Sequence, residues 1–198
     1  MEPAARREQT KVQNRQVILA AAQRVFAAMG FGAANVRDII RATPLAAGTF
    51  YNYFKSKEEV YQALRDEGAL AVRPSLHEAR ARATTAEEFL SGSFGILFEF
   101  VAQHRTGFQP PAGEARLRMY TPEVLAGFEE LRADIEDAVA RGLFPDIDAD
   151  LLMAAMAGVG FEISERLRLA EGGDAQAAAK FATALFLGGI DALPRRGA

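Results

Sequence analysis

FGAANVRDIIRATPLAAGTFYNYFKSKEEV, residues 31–60, is the stretch whose reading decides the fold. Asn35 is a good helix N-cap, and Val36, Ile39 and Ile40 recur at the spacing of one buried helical face, so a short helix is predicted from Val36 to about Ala42. Thr43 and Pro44 break it. A second short helix is predicted from about Ala46 to Tyr53, with Phe50 and Phe54 one turn apart and facing a small core. Ser56 and Glu59 form the S-x-x-E capping box that opens a fourth, longer helix. Upstream, Thr10 to Met29 reads as a first helix that buries Val17, Ile18, Ala21, Val25 and Phe26, with Gly30 as its left-handed C-terminal residue.

Two short helices joined by three or four residues behind a longer first helix have the outline of a helix-turn-helix, whose second short helix enters the DNA major groove. The whole stretch, and above all GTFYNYFKSKE from Gly48 to Glu58, resembles the DNA-binding signature of the TetR family of repressors. The resemblance implies a DNA-facing set of Asn35, Arg37, Ala47, Gly48, Thr49, Tyr51, Asn52, Tyr53 and Lys57. Gly48 lets the backbone approach DNA closely, and Thr49 offers a short hydroxyl to a phosphate or base edge. Tyr51 and Tyr53 reach phosphates while their rings brace the helix, and Lys57 clamps a phosphate from the start of the fourth helix. Asn35 and Arg37 contact the DNA backbone, and an arm with Arg6, Arg7 and Lys11 adds nonspecific affinity. The competing reading makes Phe50, Tyr51, Tyr53 and Phe54 an aromatic core cluster and nothing more. One departure from the family stands in the turn, where an Ala-Gly-Val-Ser run is usual and Thr43, Pro44, Leu45 and Ala46 occur instead. Pro44 cannot take the positive φ of glycine, and Ala46 has no side-chain oxygen to cap the recognition helix.

The charge is unevenly distributed. Residues 1–57 hold nine Lys/Arg against three acids, whereas the remainder holds 14 against 23, which sums to the net −3 of the chain. A basic first quarter on an acidic body is the electrostatic layout of a nucleic-acid-binding module carried by a domain with another task. There is no cysteine, which excludes disulfides, thiolate metal sites and thiol nucleophiles. His77 and His104 are the only histidines and neither lies in a ligand-spaced cluster, so no metal site and no cofactor is expected. The polar N-terminus shows no secretory signal, and the longest apolar run, Leu151 to Phe161, is well short of the ~20 residues that span a bilayer. A cytoplasmic protein with no membrane partner is expected.

Beyond residue 58 the apolar positions keep helical spacing and strand patterns are absent, so an all-α chain of about nine helices is predicted. Pro74 is expected to kink or end the fourth helix near Arg73. Further helices are placed near 85–105, 113–120, 122–142, 147–170 and 174–193. The domain division expected is 1–57 for DNA binding and 58–198 for ligand binding and dimerisation. By the resemblance, the larger domain holds an inducer cavity, and a wall of Phe94, Phe98, Val101, His104, Arg105, Phe108, Tyr120 and Phe128 suits a hydrophobic small molecule. A plain hydrophobic core explains any single one of these residues better than a pocket does, and His104 and Arg105 at the end of an apolar helix are more often a satisfied helix C-terminus than ligand contacts. The last two helices are apolar on most sides, and the resemblance implies that they pair with a second copy as a four-helix bundle, where Gly158, Gly160, Gly188 and Gly189 allow close approach.

The function these features imply is a dimeric repressor released from palindromic double-stranded operator DNA by a hydrophobic inducer. The alternative is a constitutive DNA-binding homodimer without a ligand. An enzyme would require a nucleophile with its base, a carboxylate pair or a phosphate loop; Glu162 and Glu165 lie three apart on one helix face without a histidine partner, so no catalytic residue is assigned.

Overall fold

The computed structural model describes residues 3–104, 121–169 and 172–189. Among the described residues the regular structure is helical: α1 Pro3–Ala33, α2 Val36–Arg41, α3 Ala47–Tyr51, α4 Lys57–Arg82, α5 Ala86–Gln103, α6 Pro122–Ala140, α7 Ala149–Leu169 and α8 Ala175–Gly188. The all-α class is the one expected, and the helix anticipated near 113–120 falls outside the described residues. The described chain forms two compact units that divide between Glu67 and Gly68, within α4.

In the first unit α1 begins at Pro3, earlier than Thr10, and Gly30 interrupts it with φ 77° before a last turn to Ala33. An L-residue is disfavoured at that angle, so glycine is what permits the chain to turn here. The core is made by Ile18, Leu19, Ala22 and Phe26 of α1, Phe31, Ile39 of α2, Phe50 of α3, Phe54, and Val60 and Tyr61 of α4. By length and composition alone α1 would pass for a membrane span. Its apolar stripe is instead the wall of this core. Phe31 stands between Phe26 and Tyr61, with ring centroids at 5.1 and 5.4 Å. Val60, Tyr61 and Ala63 complete the core, so the first unit extends past residue 57 into α4.

Pro74 does not end α4, which continues to Arg82. Proline removes the donor to the carbonyl of Leu70, but Leu70 and Pro74 are both exposed, so water can reach that defect. In the second unit α5 is the central helix, packing on both α7 and α8, while α6 packs on α7. Phe89, Leu90, Phe94, Phe98 and Val101 bury its face against Leu131 and Ile135 of α6, Met156 and Leu167 of α7, and Ala179 and Ala182 of α8. Gly160 is a close approach inside this unit rather than a bundle contact with a second copy: a Cβ there would come 3.2 Å from Leu97 Cδ2. Gly189, with φ 64°, ends α8. The first turns are capped where the sequence supplies an oxygen, by Thr85 to Glu88 N at 3.1 Å and Asp174 to Ala177 N at 2.9 Å.

α3 starts without a side-chain cap. Ala46 holds the extended N-cap geometry, φ −67° and ψ 149°, with no side-chain bond. Ala46→Ser should therefore supply the missing acceptor without backbone change and raise stability by about 0.5–1 kcal/mol. Thermal unfolding of the variant beside the wild type measures it; an unchanged or lowered midpoint would show that the α3 N-terminus gains nothing from a cap.

Candidate functional site

The helix-turn-helix is built from local bonds that the sequence supplies. Asn35 Oδ1 accepts from Arg37 N at 2.9 Å and Asp38 N at 3.2 Å, and Asp38 Oδ2 accepts from Asn35 N at 3.0 Å. This reciprocal capping box fixes the start of α2. The divergent turn is organised by Thr43, whose hydroxyl donates to Ile40 O at 2.8 Å and accepts from Leu45 N at 3.2 Å. Non-glycine residues with positive φ are absent from the described backbone, so Pro44 is accommodated by a different turn rather than forced into glycine's.

α3 then presents two faces. Phe50 and, just beyond the helix, Phe54 are buried, with ring centroids 6.1 Å apart. Ala47, Gly48 and Asn52 are exposed, Thr49 and Tyr53 are half-buried, and Tyr51 is 57% exposed with its ring edge-on to Phe50 at 5.4 Å. The aromatic cluster is thus partly core, through Phe50 and Phe54, and partly surface, through Tyr51. A Cβ at Gly48 would meet nothing within 4 Å, so no neighbour in the chain demands glycine there. The open space there is solvent. Arg37 is exposed on α2, and Arg6, Arg7 and Lys11 are exposed on the opening turns of α1, so the arm is helical.

Not every basic residue is available to a phosphate. Arg15 pairs with Glu67 and lies over the Phe54 ring at 5.6 Å, and Arg24 donates to Ala42 O at 3.3 Å. The Lys57 ammonium, expected at a phosphate, donates to Phe31 O and Ala34 O at 2.8 and 2.9 Å. A shallow groove of about 390 Å³ between α1 and α2, lined by Arg24, Val25, Ala28, Met29, Asp38 and Arg41, includes no residue of α3.

Residues 18–64, which contain α2, α3 and their core, match the family of bacterial regulatory proteins described as the tetR family. This segment is a TetR-type DNA-binding domain. The likeness extends over the second unit in solved structures. The fatty acid degradation regulator FadR from Bacillus halodurans is 26% identical with a TM-score of 0.70, covering 89% of this chain and 96% of that one. FadR from Bacillus subtilis in complex with stearoyl-CoA is 23% identical at TM-score 0.68, with 88% and 98% covered. RolR in complex with resorcinol is 21% identical at TM-score 0.67, with 95% and 98% covered.

The residues expected to line an effector site differ in their burial. Phe94, Phe98 and Val101 are fully buried; Phe94 stacks on Phe98 at 5.7 Å and on Phe186 of α8 at 5.5 Å. His104 is exposed at the end of α5, stacked on Phe100 at 4.2 Å with Nδ1 2.8 Å from Phe100 O, the arrangement of a helix C-terminus satisfied by its own histidine. Phe128 is half-buried on α6. Arg105, Phe108 and Tyr120 lie outside the described residues.

A polar latch that the sequence reading missed joins α4 to α6. Asp134 accepts from Arg80 Nη1 at 3.2 Å and lies 2.8 Å from His77 Nδ1, while Arg80 Nε donates to Ser93 Oγ at 3.0 Å. Four residues earlier on α6, Glu130 pairs with Arg73. Arg141, beyond α6, donates to the carbonyls of Arg80 and Ala83 at 3.1 and 2.9 Å, closing the C-terminus of α4. Arg80, Asp134 and Ser93 are buried. Burial pushes the Arg80 guanidinium below its ordinary pKa, and its bond to Asp134 opposes that shift. The Arg73 bond holds Glu130 below the ordinary carboxylate range. A lowered acid contributes fully above its unfolded pKa and loses that contribution as the pH falls through its folded one, so the Arg73–Glu130 rung weakens only in acid.

The two rungs should differ in weight. Asp134→Ala leaves a buried guanidinium without its counter-charge and is expected to cost about 3–5 kcal/mol. Glu130→Ala acts on a pair with a partly exposed carboxylate and should cost less than about 1 kcal/mol. Urea unfolding of both variants separates them, and equal losses would contradict the burial assignment.

Proposed function

We propose that this chain is a cytoplasmic, dimeric transcription regulator of the TetR family that binds a near-palindromic DNA duplex through α2 and α3 and is released from it by a hydrophobic small molecule held in the second unit. The observation that carries the DNA-binding reading is α3 itself: an aromatic core fixes one side, and Ala47, Gly48, Thr49, Tyr51 and Asn52 stand on the other without an intramolecular reason for glycine at 48. The basic first quarter adds a salt-sensitive attraction to phosphates. Arg37, Tyr53 and Asn35 are assigned to the same interface, with Asn35 acting first as the cap of α2.

Dimerisation is supported by a stripe of exposed apolar residues on the last two helices. Leu151 is 71% exposed, Leu169 43%, Phe181 40% and Leu187 46%. Ala154, Ala155 and Gly158 continue the stripe on α7. In a two-fold dimer the two recognition helices would meet successive major grooves ~34–36 Å apart. Phe181→Arg should convert the two-subunit particle seen by sedimentation to monomer and abolish nanomolar operator binding. A variant that stays dimeric would move the interface elsewhere.

For the effector, the ligands bound in two similar structures, stearoyl-CoA and resorcinol, support a hydrophobic molecule. The close stacking of Phe94, Phe98 and Phe186 means that a ligand would enter by replacing ring contacts, and the same stacking favours the alternative of a body that only dimerises. A duplex selected from a random pool should bind with an affinity that falls steeply with salt. Stearoyl-CoA or resorcinol, or whichever hydrophobic compound raises the melting temperature in a ligand screen, should then weaken it about 5- to 150-fold. Salt-independent binding would overturn the interface; salt-dependent binding that no hydrophobic ligand alters would select the ligand-free dimer.

A further inference from the structure

Lys57 is the first residue of α4, and its ammonium is directed back to the corner between α1 and α2. It donates to Phe31 O at 2.8 Å, Ala34 O at 2.9 Å and, at the limit, Gly32 O at 3.5 Å, and it stands 4.4 Å from the centre of the Phe31 ring. An ammonium has three N–H donors and no acceptor, so this set occupies all of them. The acceptors belong to the last turn of α1 beyond the Gly30 break and to the residue before Asn35, where helix carbonyls have lost their own donors. A cation at a helix C-terminus, bonded to its orphan carbonyls, is favoured by both hydrogen bonding and the helix dipole.

The consequence lies in what is attached to that corner. Asn35, immediately after Ala34, caps α2 and fixes the position of Arg37. At its other end Lys57 follows α3 by only a few residues, with Lys55 N bonded to Glu59 at 2.7 Å and Glu59 N to Ser56 Oγ at 3.2 Å. One side chain therefore ties the start of α2 to the end of the α3 segment, the two stretches assigned to DNA. We infer that Lys57 is a positioning residue for operator recognition, setting the spacing of α2 and α3, and not a phosphate ligand. The inference rests on the reading that α2 and α3 face DNA.

The two roles separate by salt dependence. A residue that neutralises a phosphate contributes ~0.9 to the slope of log affinity against log salt, whereas a residue that only positions others contributes nothing to it. Lys57→Met keeps the stem on Phe31 and removes the donors. Measured on the selected duplex, at a temperature where circular dichroism shows the variant fully folded, it should bind about tenfold more weakly with the wild-type slope. A slope reduced by ~0.9 would make Lys57 a phosphate ligand, and wild-type affinity in the folded variant would make it a stabilising residue alone; either result overturns the inference. Should Lys57→Met not fold, acetylation of wild-type protein decides. A positioning Lys57 reacts slowly in the free protein as well as in the complex, compared with Lys55, whereas a phosphate ligand reacts readily when free and is protected only by DNA. Wild-type protein without any salt-dependent DNA binding would overturn the functional reading itself, and the inference with it.

Discussion

A five-residue helix cannot hold itself in water, and the structure of the first unit is arranged around that constraint. Helix nucleation is unfavourable and short helices gain too few bonds to offset it, so α3 exists because Phe50 is buried beneath it. It lacks even a side-chain cap at Ala46. Everything nearby compensates: Phe26, Phe31 and Tyr61 form the aromatic floor, Thr43 bonds the turn that leads in, and the Ser56 and Glu59 box fixes the segment that leads out. The face that remains outward is small and polar because the inward face has taken the large rings. Recognition of a rigid duplex needs such a platform, since a contact surface that must be ordered on binding loses affinity to that ordering.

α4 belongs to both units, and its two halves are secured by different chemistry. Its first turns join the aromatic core through Val60 and Tyr61, while its last turns are held by polar contacts, through Arg73, His77 and Arg80 to α6 and through the carbonyls bonded by Arg141. Apolar packing is nondirectional, but the Arg80–Asp134 bond is buried and directional, and such a bond is retained or lost as a whole. The polar rungs also explain how α4 tolerates Pro74, because the segment around it is held from outside the helix.

Much of this was legible in the sequence, and the reasons are local. Gly30, the Asn35 cap and the Ser56 to Glu59 box act over four residues or fewer, so their chemistry can be read from spacing alone. The buried face of α2 followed from the same periodicity, as did the apolar face of α5. Long-range pairing was not legible. Lys57 meets carbonyls 23 to 26 residues earlier, and Arg80 meets Asp134 at a separation of 54, with nothing in either helix to announce its partner. Arg73, His77 and Arg80 do lie on one helical face, as do Glu130 and Asp134, but periodicity shows that a face is charged and not what it faces. Gly160 illustrates the same limit: its small size was visible, whereas the Leu97 side chain that requires it was not.

The central claim is that α2 and α3, fixed by the aromatic core, form the surface that meets DNA. Amide hydrogen exchange, followed by mass spectrometry with and without the selected duplex, tests it across the whole chain at once. The account requires new protection in peptides that cover residues 35–54, with peptides of α7 and α8 unchanged by DNA. Protection centred on the second unit, or none in α2 and α3 at saturating duplex, would contradict it.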